Sequence, residues 1–292
     1  MTSDMSIDIR GTSGQEAHRS FLVYRRFLHL KLSVLLVGIA TLAYVWHSPM
    51  GGPSGSTWLG YTLGTIAALI IVWLTWFGWR KRSYGSSTIP LTAWLSAHVY
   101  FGLTLIFLAT LHTGFQFGIN IHTLSYVLMM LVIASGLFGI FAYVRYPRMM
   151  TSNRGGATQA QLLGQIASTD TELRQAILRA PDSVVRLVRP ATERDEIGGA
   201  VWRQLSGRYP NCPTAEALRG IQVLNRTLPP DHQVEARAMV MLLTRKIELL
   251  QRVRRDIQYK GLMEIWLYVH VPMTFALLAA LAAHIIAVFF YW

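Results

Sequence analysis

The chain has 292 residues, of which 52% are hydrophobic and 14% charged, and its formal net charge is +12 at pH 7. It is too apolar for a soluble globular domain, and no nucleic-acid-binding motif accompanies the positive charge. The single cysteine excludes iron–sulfur ligation, disulfides within the chain and cofactor attachment through C-x-x-C-H.

Five apolar segments are each long enough to cross a bilayer, for which ~20 helical residues are needed. They cover residues 28–46, 58–79, 90–111, 121–144 and 262–291. Tryptophan and tyrosine gather near several of their ends, as in the aromatic belts of membrane proteins. We therefore predict an all-α, polytopic membrane helical bundle with five transmembrane helices in contact with the lipid bilayer.

Lysine and arginine residues near these spans occupy alternate connections. They are Arg19, Arg25, Arg26 and Lys31; then Arg80, Lys81 and Arg82; and finally Arg145, Arg148 and Arg154. The connections that begin at His47 and Thr113 contain neither residue type. The positive-inside rule thus predicts a cytoplasmic N-terminus and a C-terminal Trp292 outside, in a cell membrane, preferably a bacterial inner membrane. Because the first twenty residues lack a signal peptide's apolar region, we expect the first span to be retained.

Most of the charge lies in a polar region between the fourth and fifth spans. Three segments of it have helical patterns, residues 159–166, 171–180 and 231–259, with proline turn signals around them. No helix-breaking residue follows segment 231–259 before Gly261. We therefore predict a long helix that continues into the fifth span and that would bend, if at all, at Gly261.

The predicted organisation has four parts. They are a cytoplasmic N-terminal segment (1–27), transmembrane helices 1–4 (28–146), a helical cytoplasmic insertion (147–261) and transmembrane helix 5 (262–292).

Two of the spans contain histidine pairs with the same spacing. His98 and His112 lie fourteen residues apart in the third span, and His270 and His284 lie fourteen apart in the fifth. Such a segment of α-helix makes nearly four turns and rises ~21 Å, so both imidazoles share nearly one face. Both spans run from inside to outside, which places His98 with His270 at an inner level and His112 with His284 at an outer level.

Two imidazoles from facing helices are the ligand set of a six-coordinate haem iron. We therefore predict two non-covalent b-type haems, with the inner iron between His98 and His270 and the outer iron between His112 and His284. Any one of these histidines could instead form a hydrogen bond between helices. The matched spacing and depth of the two pairs favour haem.

These histidine pairs, on parallel third and fifth spans, resemble those of the ferric reductase and NADPH oxidase class of transmembrane cytochromes b. The resemblance covers the membrane part and implies that His98, His112, His270 and His284 ligate an inner and an outer haem b. The chain departs from that class in its long polar region and in stopping at Trp292, without a C-terminal flavin and nicotinamide domain. The respiratory cytochromes b are a looser match, because their helix order differs.

The expected function is transmembrane electron transfer, as a subunit of an oxidoreductase complex rather than a complete enzyme. No dinucleotide-binding motif is present, so a flavoprotein, an iron–sulfur protein or a multihaem cytochrome is the expected partner, with quinone left open. The alternative is a non-redox membrane transporter or assembly scaffold, in which buried histidines relay protons or pack helices.

Other residues near the predicted haem levels have two interpretations each. Four glycines would admit a porphyrin or serve helix packing equally well: Gly102, Gly114, Gly136 and Gly139. Four basic residues could pair with propionates of the inner haem, although the positive-inside rule is the preferred explanation: Arg80, Lys81, Arg82 and Arg145. His47 and His122 could line an outer haem edge or a quinol pocket, but ordinary interfacial histidines are preferred.

Overall fold

The computed structural model describes residues 21–50, 52–82, 90–193, 197–225 and 229–290. Within these ranges the chain forms helices and connecting turns, without strands. The helices are α1 (Tyr24–Trp46), α2 (Trp58–Arg82), α3 (Leu91–Thr113), α4 (Ile121–Arg154), α5 (Gln159–Ile177), α6 (Asp182–Glu193), α7 (Val201–Ser206), α8 (Pro213–Leu224) and α9 (Pro230–Phe290). Five of them, α1 to α4 and α9, are long and apolar enough to cross a membrane. The prediction of an all-α integral membrane protein with five such helices is confirmed.

The chain divides into two compact units. The first, here the membrane unit, contains Met1–Val144 and Trp266–Trp292; the second, the polar unit, contains Arg145–Ile265. Residues 1–20 of the predicted N-terminal segment lie outside the described ranges. The four histidines of the predicted pairs all belong to the membrane unit.

The membrane unit has an apolar core to which all five of its helices contribute. The cluster includes Ala40 of α1, Leu63 of α2, Leu108 of α3, Met129 of α4 and Leu277 of α9. Many large apolar side chains of the same helices point outward, a surface that suits contact with lipid rather than with water. The helices therefore bury one face against each other and expose another apolar face.

Helix α3 has a well-defined end just after His112. Gly114 adopts a left-handed backbone conformation, with φ of 57°, and its amide N–H donates to the carbonyl of Leu111. A Cβ at Gly114 would also lie 2.3 Å from the carbonyl oxygen of Pro53. Gly114 therefore serves as a helix cap in a tight turn, which explains one of the four glycines without a porphyrin.

Two helices differ from the sequence prediction in their length. Helix α4 continues through Pro147 to Arg154, ten residues beyond the predicted end at Val144. The predicted segments 159–166 and 171–180 join in one helix, α5, which ends at Ile177; the Thr169 hydroxyl donates to the carbonyl of Gln165 at 2.8 Å within it. Helix α9 runs unbroken through Gly261 for 61 residues, which confirms the long helix.

The polar unit has its own core, formed by α5, α6, α8 and the first part of α9. Apolar side chains such as Leu173, Val188 and Leu243 are fully buried in it. A buried ion pair crosses this core: Lys246 Nζ lies 2.7 Å from Asp170 Oδ1 and also donates to the Ala191 carbonyl. These contacts connect α9 to α5 and α6.

The single cysteine, Cys212, caps the start of α8 and is only 7% exposed. The guanidinium of Arg254 donates to its sulfur at 3.4 Å.

Candidate functional site

The structure contains the four predicted histidines in the membrane unit, and the names inner and outer for their two levels follow the orientation expected from the sequence. At the outer level, the rings of His112 and His284 have centroids 6.1 Å apart and are nearly perpendicular, at 86°. At the inner level, His98 and His270 lie fourteen residues before these two on the same helices. These two inner rings make no direct ring contact among the described residues. Helix α4 bonds to His284 near its start and to His270 further on, so it runs antiparallel to the membrane part of α9. The end of α3 bonds to the start of α4, from Thr110 to Tyr126 at 2.9 Å, so α3 runs parallel to that part of α9.

His112 is fixed against α2 through its Nδ1 atom. Nδ1 lies 2.8 Å from the backbone carbonyl oxygen of Gly60. A carbonyl oxygen can only accept, so Nδ1 carries the proton and the lone pair is on Nε2. The ring occupies the space that a side chain at Gly64 would need: a Cβ there would lie 2.7 Å from Cε1 of His112. Two glycines one helical turn apart thus hold this imidazole in place.

His284 contacts a third histidine at the outer level. Its Nδ1 lies 2.5 Å from Nδ1 of His122, and the two ring centroids are 4.5 Å apart. One Nδ1 donates and the other accepts, so this bond leaves Nε2 of His284 outside it. His122 belongs to the first turn of α4. His122, which we expected to be an ordinary interfacial histidine, is therefore in direct contact with the predicted haem ligand His284.

His270 is fixed against α4 by Ser135. The serine hydroxyl lies 2.7 Å from Nδ1 of His270 and donates its single proton to the carbonyl of Val132 at 2.8 Å. With the hydroxyl proton on the Val132 carbonyl, the serine oxygen accepts from Nδ1–H, and the lone pair of His270 is then on Nε2. Ser135 is held in turn by Trp266, whose indole Nε1 donates to the Ser135 carbonyl at 2.7 Å.

His98 has the least support from hydrogen bonds. Its ring packs on Phe77, with centroids 5.1 Å apart, and lies near the backbone of Leu74. Its Nδ1 is buried and forms no hydrogen bond with the described part of the chain. An unpaired buried nitrogen destabilises the fold unless it gains a partner, so His98 is a candidate for binding a further group.

The residues present fit a haem at the outer level. His112 and His284, whose ring centroids lie 6.1 Å apart, would hold its iron as neutral imidazole ligands. A histidine that donates Nδ1–H to a carbonyl or hydroxyl and keeps Nε2 free is the usual form of a metal ligand. Among the described residues no group of three or more His, Cys, Asp or Glu could hold a metal ion. A haem needs only two axial ligands from the protein, since the porphyrin supplies the other four.

No protein-family model, curated protein or solved structure matches this chain. The resemblance to transmembrane cytochromes b therefore rests on the four histidines. The observations that bear on function are the arrangement of the four histidines and of the residues that contact them.

The remaining glycines have different roles. The Trp266 indole fills the space beside Gly139, where a Cβ would lie 2.1 Å from Cζ2, so this glycine serves helix packing. Gly136 lies beside His270, and a Cβ there would be 3.6 Å from Cε1. A Cβ at Gly102 would meet only Leu74 Cδ1, at 4.0 Å, among the described residues.

The predicted basic partners of the inner haem divide into two groups. The side chains of Arg80, Lys81 and Arg82 lie outside those that the structure describes. Arg145 lines a groove within the polar unit.

Sequence reasoning missed the residues that position the imidazoles, chiefly Gly60, Gly64 and Ser135. Two signals could have found them. Gly60 and Gly64 form a G-x-x-x-G pattern, which is typical of close helix packing in membranes. Ser135 is a polar residue within an apolar span, where a hydrogen-bond partner on another helix is expected.

Proposed function

We propose that this chain is the membrane cytochrome b subunit of a redox complex and carries electrons across the membrane through two b-type haems. The observation that carries the proposal is the meeting of His112 and His284, from two parallel helices, at a centroid distance of 6.1 Å. The fourteen-residue spacing that His98–His112 shares with His270–His284 supports a second haem at the inner level.

When bound, a haem at each level supplies a one-electron carrier in a region where a free charge is costly. The chain's own residues orient the ligands. Gly60 fixes the tautomer of His112, Ser135 bonds to Nδ1 of His270, and His122 holds the ring of His284. These partners are a carbonyl, a hydroxyl and an imidazole, which differ in basicity. We therefore expect the two levels to have different redox potentials.

The orientation and the partners are further parts of this proposal. The positive-inside charges favour a cytoplasmic N-terminus, a cytoplasmic polar unit and an outer His112–His284 level, in a bacterial inner membrane. The polar unit is then the part available to a cytoplasmic flavoprotein or iron–sulfur partner. A quinone or a multihaem cytochrome is the corresponding candidate at the outer level.

A second candidate is a non-redox transporter or scaffold, and one observation favours it. Three of the four histidines already form hydrogen bonds to neighbouring helices: His112 to α2, and His270 and His284 to α4. Such bonds join helices in membrane proteins without any cofactor.

A reduced-minus-oxidised spectrum of the purified full-length protein separates the two functions. The haem proposal predicts b-type bands, and a redox titration of those bands should resolve two midpoint potentials. A protein expressed with adequate haem supply that shows no such bands would overturn the proposal and favour the scaffold.

A further inference from the structure

A basic groove of about 640 Å³ lies within the polar unit, between the extension of α4 and the part of α9 before Ile265. Helix α4 contributes Arg145 and Arg148, three residues apart on one helix face, and α9 contributes Arg252 and Arg255 with the same spacing. Four arginines from two helices that are distant in the sequence therefore converge on one cavity.

Within the described part of the chain, the positive charge of the groove is not neutralised. Glu248 is the single carboxylate among its lining residues, so four arginines minus one glutamate leave +3. None of the four guanidinium groups has a carboxylate partner in the described ranges, because the nearby Asp256 pairs with Arg154 instead. The Nε of Arg148 is buried and donates to no acceptor in that part of the chain. A buried donor without an acceptor is unfavourable, so the groove is suited to an anion.

The position of the groove along the helices bears on the source of that anion. Arg145 follows directly on the apolar run of α4 that ends at Val144. Tyr259 lines the groove three residues before the apolar end of α9, and its ring stacks on Tyr146 with centroids 5.6 Å apart. Tyrosines and basic residues that adjoin an apolar span in the sequence are typical of sites for anionic lipid headgroups. The positive-inside rule accounts for arginines near a span but not for their convergence without carboxylate partners.

We infer that this groove binds a phosphate group, from either an anionic phospholipid headgroup or a free phosphate ion. Guanidinium groups suit this ligand, since their parallel N–H bonds match the phosphate oxygens and each such bond is charge-assisted. The inference does not depend on the haem proposal, because none of the four candidate haem-ligating histidines lines the groove and the variant R148Q/R252Q leaves Arg145 in place.

Calorimetric titration of the full-length protein in detergent tests the inference with three probes. They are a short-chain phosphatidylglycerol, the matching phosphatidylcholine and inorganic phosphate. The test variant is R148Q/R252Q, and R145Q/R255Q replaces two exposed side chains in case the first variant folds poorly. The control R237Q removes an exposed arginine of α9 outside the groove.

We expect wild type and R237Q to bind at least one phosphate-bearing anion and each double variant to bind it ~100-fold more weakly. Binding of phosphatidylglycerol alone would identify the headgroup as the source, and binding of inorganic phosphate alone would identify the free ion. Equal affinity in wild type and both double variants would overturn the inference. So would the absence of binding by either anion, or equally strong binding of phosphatidylcholine.

Discussion

His112 and His284 approach each other from parallel helices, with ring centroids 6.1 Å apart, although most of the chain separates them in the sequence. Neither helix alone specifies this contact. The meeting depends on α2, since the Gly60 carbonyl and the space beside Gly64 determine where the His112 ring lies. It also depends on α4, since His122 contacts His284.

The haem ligands can be tested one level at a time. Purified wild-type protein should contain two haems per chain, and H284A or H270A should each remove one, because one axial ligand is lost at a single level. The pyridine haemochrome assay measures this count. H232A, which changes a histidine of the polar unit, is the control and should keep both haems. One haem or none in wild type, or two in H284A, would contradict the pairing.

His122 should affect only the outer level. Replacing it in H122A removes the hydrogen-bond partner of His284 Nδ1 but leaves the candidate axial ligands in place. Loss of such a partner typically weakens metal binding ~10–100-fold, so we expect weaker haem retention and a shifted midpoint potential at one level. A redox titration monitored by absorbance measures the shift. Movement of both midpoints by the same amount would show that the variant perturbs the whole bundle instead.

The substitution Gly64→Ala should displace the His112 ring. The added methyl would lie 2.7 Å from Cε1, and forcing extra atoms into a packed site typically costs about 1–3 kcal/mol. We expect loss of the outer haem, with a lower thermal unfolding midpoint. Gly78→Ala is a matched control on the same helix, since a Cβ there meets no described atom within 4 Å. If both variants keep two haems, the space beside Gly64 does not hold the imidazole.

The buried pair Lys246–Asp170 should stabilise the polar unit. Removing one member leaves a buried charge without a partner, which typically costs about 3–5 kcal/mol. We therefore expect D170A to lower the thermal unfolding midpoint of the full-length protein markedly. E193Q removes one member of the exposed pair Arg189–Glu193 and should leave that midpoint unchanged, because water already solvates both groups. Similar midpoints for D170A and wild type would contradict a structural role for the buried pair.

The sequence was sufficient to predict the five spans, because each needs only a long apolar run, which hydropathy detects residue by residue. The expectation that His112 lies near His284 came from the fourteen-residue spacing, which gives one helix face, and from the positive-inside charges, which make the two spans parallel. The contact of His122 with His284 could not be predicted in this way. It depends on how α4 packs beside α9. A periodic pattern in the sequence shows which side of a helix is buried, but it does not show which other helix packs against that side.

The extension of α4 past Val144 escaped prediction for a related reason. Beyond that residue the apolar signal ends, and Pro147 is typical of a helix break. The helix continues because contacts within the polar unit hold it, such as the bond from Asn153 to the Arg252 carbonyl at 2.7 Å. Such long-range contacts leave no periodic trace in a single sequence.

Because Cys212 is buried, cysteines introduced one at a time can show which side of the membrane each part of the chain faces. With a lone thiol only 7% exposed, a membrane-impermeant maleimide should react chiefly with a cysteine introduced at an accessible position. Ser54→Cys, in the connection after α1, and Val201→Cys, in the polar unit, would report opposite faces if the positive-inside orientation holds. Intact cells would then label the first and spare the second, and the reverse pattern would invert which histidine level faces the cytoplasm.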